Sequence, residues 1–173
     1  MTQSAADRIP WKRAVRDLAV VAATVAVWVI DAWLRQSGEG GWSLALAALV
    51  GAMTAYCGYL VHEWGHLLGA LSAGSVVHLP ERVLSVFLFQ FDSDRNDSRQ
   101  FLRMSMGGFV ASALAIVFLV AVLPLQAWSG RIAMLLVFLG VVATFILEVP
   151  VAWRVAHGAP IPRGAAYRSS ASA

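Results

Sequence analysis

His62-Glu63-Trp64-Gly65-His66 sets two imidazoles four residues apart with a carboxylate between them. Residues i and i+4 share one face of a helix, so His62 and His66 can grip a single metal ion. Glu63, one step further round, is a candidate general base toward a water at that metal. The flanking chain is apolar enough to cross a bilayer, where two imidazoles and a carboxylate are costly to bury. The pattern points to metal chemistry at membrane depth.

A catalytic zinc site takes three protein ligands and keeps one position open, and the pentad supplies two. The third is sought among the few other ionisable groups of the apolar regions and the loop. Asp31 lies near the opposite end of its segment. Asp92, Asp94 and Asp97 belong to a polar loop, His78 to a β-prone stretch, and His157 to the tail beside Gly158. Glu148 lies five residues before Trp153, the end of its segment, and His66 lies six before Ser72, the end of its own. At 1.5 Å per helical residue, roughly 9 Å separates His66 from its segment end, so the depths agree. Pro150 follows, and a proline there frees a backbone carbonyl and can kink the helix. Glu148 is the expected third ligand; pairing with Arg154 or a protonated carboxyl is the structural alternative for it.

These groups need helices to carry them. The chain has 173 residues, 59% apolar and 13% charged. Soluble domains average about 25% charged, so the composition fits a small multi-span membrane protein with one bundle and no second domain. Spanning takes about 20 apolar residues. Four segments qualify, at about 18–34, 42–72, 104–125 and 132–153, with Pro124 closing the third and Trp128-Ser-Gly130 turning into the fourth. The first is too long for a cleaved signal and carries no small-residue cleavage site, so it is expected to span. Cys57 is the single cysteine and reads as a packing residue.

Eleven of the thirteen basic residues fall on one side of these spans: Arg8, Lys12, Arg13 and Arg16, the loop arginines 82, 95, 99 and 103, and the tail arginines 154, 163 and 168. Arg35 and Arg131 fall on the other. The positive-inside rule then puts the N- and C-termini in the cytoplasm, with 73–103 a cytoplasmic loop and 154–173 a cytoplasmic tail. The charges flank apolar segments and form no stripe, which argues against a nucleic-acid partner. Trp11, Trp42, Trp128 and Trp153 fall near span ends, as interfacial tryptophans do. Within the loop, Val76–Pro80 and Arg82–Phe91 are rich in β-branched and aromatic residues. They are expected to form a short hairpin turning at Pro80-Glu-Arg82, or a re-entrant segment, against the bundle. The whole is an all-α integral membrane protein with that insertion between its second and third helices.

On the pentad in a spanning helix, the β-prone segment after it, Gly107-Gly108-Phe-Val-Ala-Ser112 in the next span and Leu147-Glu148-Val149 in the last, the chain resembles the site-2 protease family of intramembrane zinc metalloproteases. The resemblance covers about residues 43–153, and the pentad is its most specific part. Gly108–Ser112 is similar to the family's Gly-Pro-x-x-Asn element, with Phe109 for proline and Ser112 for asparagine. Leu147-Glu148-Val149 stands for Leu-Asp-Gly. The resemblance implies Zn2+ held by His62, His66 and Glu148, with Glu63 as general base. It implies a membrane-embedded peptide substrate made extended, as by strand addition near Val83–Phe91. Ser112 would then help to stabilise the oxyanion. The alternative is a non-catalytic metal- or pigment-ligating subunit of a larger membrane complex, or a metal-binding transporter using the same residues.

Overall fold

The computed structural model describes residues 10–37, 43–80, 85, 87–164 and 166–168. The helices are α1 (Trp11–Gln36), α2 (Ser43–Ser72), α3 (Ser98–Val122), α4 (Trp128–Leu147) and α5 (Val149–Ala156). Among the described residues four helices are long and apolar enough to cross a membrane, with α4 and α5 together making the fourth. Their outward surfaces carry exposed Val25, Val29, Leu114, Val117, Phe118 and Phe145, among others. Such surfaces suit hydrocarbon, where no backbone group is left to solvate because the helix satisfies its own.

Each end has a local cause. The third span begins at Ser98, six residues before the expected Met104, because Asp97 and Gln100 form a capping box. The Gln100 amide donates to the Asp97 carboxylate at 2.8 Å, and the Asp97 amide donates to the Gln100 side chain at 2.9 Å. The first two turns of α3 carry Arg99 and Arg103 and so fall outside the apolar run. It ends at Val122 rather than Leu125, since Pro124 disfavours helical backbone at Leu123. The first span is also longer than expected, starting at Trp11. The fourth runs on to Ala156, but breaks at Glu148, where Pro150 has no N–H to continue the ladder.

The insertion is a small sheet in the order β1-β2-β3, built from β1 (Val77–His78), β2 (Gln90–Asp92) and β3 (Tyr167–Arg168). β1 and β2 pair antiparallel, Val77 opposite Phe91, as the hairpin expectation requires. Its expected turn at Pro80-Glu-Arg82 falls largely on residues 81–84, outside the described ones. The second strand is shorter than the stretch Arg82–Phe91. Leu88, Phe89 and Phe91 turn into the core, and the Leu88 amide leaves the ladder to donate to Glu63 at 3.3 Å. The tail, expected only as a cytoplasmic extension, returns to add β3 parallel to β2, with Phe91 opposite Tyr167.

α2 is the central element. Against α3 its Gly65 and Gly69 faces meet backbone directly: a Cβ on Gly65 would lie 2.5 Å from the Gly107 carbonyl oxygen, and one on Gly69 2.5 Å from that of Arg103. Only small residues permit this approach. α1 is tied to α2 by Trp28, whose indole donates to Thr54 at 3.0 Å, and by Trp64, whose indole donates to Asp17 at 2.8 Å. Thr24 and Cys57 meet at 3.3 Å in the same seam. Arg13 donates to the Pro80 carbonyl, pinning α1 to the hairpin. At the opposite end buried Asp31 accepts from Ser129 at 2.8 Å and from Arg35 at 3.0 Å. Polar contacts between helices in membranes contribute about 0.6–2 kcal/mol each, so this set fixes register more than it supplies stability.

Candidate metal centre

His62 and His66 lie one turn apart on α2, and the break between α4 and α5 brings Glu148 to them. His62 Nε2 is 3.1 Å from Glu148 Oε1, His66 Nε2 is 3.2 Å from Oε2, and the two Nε2 atoms are 2.9 Å apart. His62 is buried at 5% exposure, whereas 38% of the Glu148 side chain stays accessible, so the carboxylate is the open side of the cluster.

The other ring nitrogens set which atoms the cluster presents. His62 Nδ1 faces the Gly108 carbonyl at 3.2 Å and Ser112 Oγ at 2.9 Å. His66 Nδ1 faces the Met104 carbonyl at 2.9 Å. A carbonyl can only accept, so each Nδ1 carries a proton, and in the neutral imidazole each Nε2 then presents a lone pair; the assignment follows from the hydrogen-bond network. Met104 and Gly108 are themselves four apart on α3, so one pair of helix turns orients the other. Two Nε2 lone pairs and two carboxylate oxygens then converge with no donor among them. One cation satisfies all four atoms at once; one added proton satisfies at most two.

The donor set fits zinc. Nitrogens and oxygens about 2.0–2.2 Å from a tetrahedral ion lie about 3.3 Å from each other, close to the spacings found, and a ligating imidazole donates its far N–H to a carbonyl. Gly108 is needed for this: a Cβ there would lie 2.5 Å from His66 Nε2 and 2.6 Å from its Nδ1.

Glu63 points elsewhere. Its carboxylate accepts the Leu88 amide at 3.3 Å and faces a cavity of about 280 Å3 shared with His66 and Glu148. Phe87, Phe89, Phe91, Phe101 and Tyr167 supply much of its remaining wall. Burial, with the Glu148 and Glu63 carboxylates adding, pushes the Tyr167 phenol up to about 12, so it stays protonated. Tyr167 was not among the residues singled out in the sequence, because only the pairing of β3 brings it here.

The remaining expectations resolve as follows. Ser112 meets His62 Nδ1, on the ring edge away from Glu148, where it holds the ring. His78 donates to Asp92 at 2.8 Å in the hairpin. Burial raises the Asp92 carboxyl, but the His78 contact and the Arg95 and Asp94 amides outweigh it and hold the group below its ordinary value. Asp94 pairs with Arg163 at 3.2 Å, and Asp97 caps α3. His157 lies against Trp153, ring centroids 4.2 Å apart, and donates to its carbonyl. Asp31 belongs to the far end of the bundle. Among the described residues His62, His66 and Glu148 are the group whose ligand atoms converge.

No family model matches the chain, nor does any curated protein or solved structure.

Proposed function

We propose that the chain is an intramembrane zinc metallopeptidase of the site-2 type, cleaving a membrane-embedded peptide. The observation that carries this reading is the convergence of four acceptor atoms from His62, His66 and Glu148 beside a second, separate carboxylate, Glu63, on one cavity. Zinc bound by the three ligands supplies Lewis acidity toward a peptide carbonyl and makes water a stronger acid. The rest falls to the protein's own groups. Glu63 takes the proton from the attacking water as oxygen bonds to the carbonyl carbon, then returns it to the nitrogen as the C–N bond breaks. The Gly108 and Met104 carbonyls keep both rings in the ligating tautomer, and Ser112 holds His62. The aromatic wall excludes bulk water around the reacting groups.

Both termini are cytoplasmic in this reading, since eleven of thirteen basic residues share one side. The centre then lies near the cytoplasmic face. Pigment ligation fits less well: a macrocycle needs one ring nitrogen with open space before it, and here two face each other at 2.9 Å.

Metal analysis of the purified protein and its variants tests the reading. About one zinc per chain is expected, kept in Glu63→Gln and lost in His66→Ala, with cleavage of a transmembrane peptide abolished in both. Tetrapyrrole absorbance, or zinc binding indifferent to His66→Ala, would overturn it.

A further inference from the structure

β1 covers one edge of β2, and the chain's own tail covers the other. The Phe91 amide donates to the Ala166 carbonyl at 3.2 Å and the Ser93 amide to that of Arg168 at 2.9 Å. These are the groups an extended peptide uses when it adds to a sheet edge. From the same strand Tyr167 helps to wall the cavity of the metal centre, its ring 6.2 Å from that of Phe101. Ala166–Arg168 therefore occupies a track that runs along the sheet edge and past the cluster of His66, Glu148 and Glu63.

We propose that Ala166–Arg168 is a displaceable resident of the β2 edge, holding with its aromatic side chain the place that an extended peptide parallel to β2 would otherwise take. The inference rests on the peptidase reading for its catalytic consequence, not for binding. Aromatic selectivity follows from the wall, where Phe87, Phe89, Phe91 and Phe101 offer ring faces and edges to a planar side chain. The strand is held by the Phe91 and Ser93 amides and by the Tyr167 ring packed against the core, so displacement turns on that ring leaving the cavity. The strand has two residues, and its outward residue, Arg168, is exposed. The approach is anchored by Ser93 donating to the Pro162 carbonyl at 2.9 Å and by a largely exposed Arg163–Asp94 pair. The tail leaves α5 through Gly158, at φ 91°, which turns the chain back toward the sheet. Such a tether presents the strand at an effective concentration of order millimolar, so a free peptide competes poorly until the resident lets go.

The test is binding of a fluorescein-labelled peptide, Gly-Ala-Ala-Tyr-Arg-Ser, to the full chain in detergent, read by anisotropy. Every protein carries Glu63→Gln, so nothing is turned over. Tyr167→Ala, which removes the resident's ring, is expected to bind the peptide at least about tenfold tighter than the parent. A peptide with serine in place of tyrosine is expected to lose that gain. Arg168→Pro, which removes a strand amide and leaves Tyr167 in place, is the second variant. It should raise both peptide affinity and hydrogen exchange at the Phe91 and Ser93 amides. Equal affinity of parent and both variants, or equal binding of the serine peptide, overturns the proposal. Binding gain without cleavage by the Glu63 protein upholds the track and refutes the peptidase reading. Cleavage without any binding gain refutes the track alone.

Discussion

Gly108→Ala is the sharpest perturbation of the proposed metal centre, because the three atoms nearest its Cβ all belong to the His66 ring. Its Cβ would lie 2.5 Å and 2.6 Å from the two His66 nitrogens. Ordinary carbon contacts begin near 3.5 Å, so the ring must retreat by about 1 Å. Ligand constellations tolerate about 0.5 Å, so Nε2 leaves its place opposite His62 and the Met104 contact breaks with it. Loss of outer contacts alone costs about 10–100-fold in metal affinity, and a displaced ligand sets the expectation at or beyond the upper figure. Stability should barely move. Alanine in place of helical glycine gains up to about 1 kcal/mol, and the lost ring hydrogen bond gives about as much back. Gly107→Ala is the contrast, since its Cβ would run into the Gly65 carbonyl and lie 3.0 Å from Gly69 Cα. There the helices must part, at about 1–3 kcal/mol of overpacking. Zinc affinity by competition with a chelating dye, beside thermal melts in detergent, separates the two. Gly108→Ala binding zinc within about threefold of the parent would refute the reasoning.

Ser112→Ala should weaken zinc binding by about tenfold and no more, since the Gly108 carbonyl still meets His62 Nδ1 at 3.2 Å; the same titration reads it, and an unchanged affinity would remove Ser112 from the centre. Asp17→Ala strips the acceptor from the Trp64 indole and should cost about 1–3 kcal/mol, seen as a lower melting temperature and faster proteolysis of α1; equal melts would count against the tie. Acid should loosen the hairpin through Asp92. Its carboxyl is held below the ordinary 3.8, so the stabilisation is complete above that value and is lost as pH falls through the lower folded value. In His78→Ala the loss should begin at higher pH. Hydrogen exchange at the Asp92 amide, which donates to Val76, follows it, and identical pH profiles in the two proteins would speak against the contact.

That His62, His66 and Glu148 come together was legible before any coordinates, because helical rise and charge counting are enough to match the depth of Glu148 to that of His66. What Ser112 does was not legible. Which atom its hydroxyl meets depends on how closely α2 and α3 approach, and the Gly65 and Gly107 backbones set that distance to tenths of an ångström. The start of α3 was present in sequence as Asp97 and Gln100, but hydropathy hides two opening turns bearing Arg99 and Arg103. β3 left no trace, since two residues carry no periodicity and their pairing spans 76 positions, from Phe91 to Tyr167. Tyr167 went unnoticed for the same reason.

Glu148 is a pivot between two rods, α4 in the bilayer and α5 leading to the sheet. The rods answer to different masters. A helix of twenty residues, about 30 Å long, adjusts its tilt to the thickness of the hydrocarbon around it, while α5 is held by Val155 and Val151 in the core. A change of tilt is absorbed at the joint, where the Glu148 carboxylate sits. For the zinc site proposed above, the thickness of the host membrane would then act on the grip of the three side chains, and zinc affinity should differ between bilayers of short-chain and long-chain lipids.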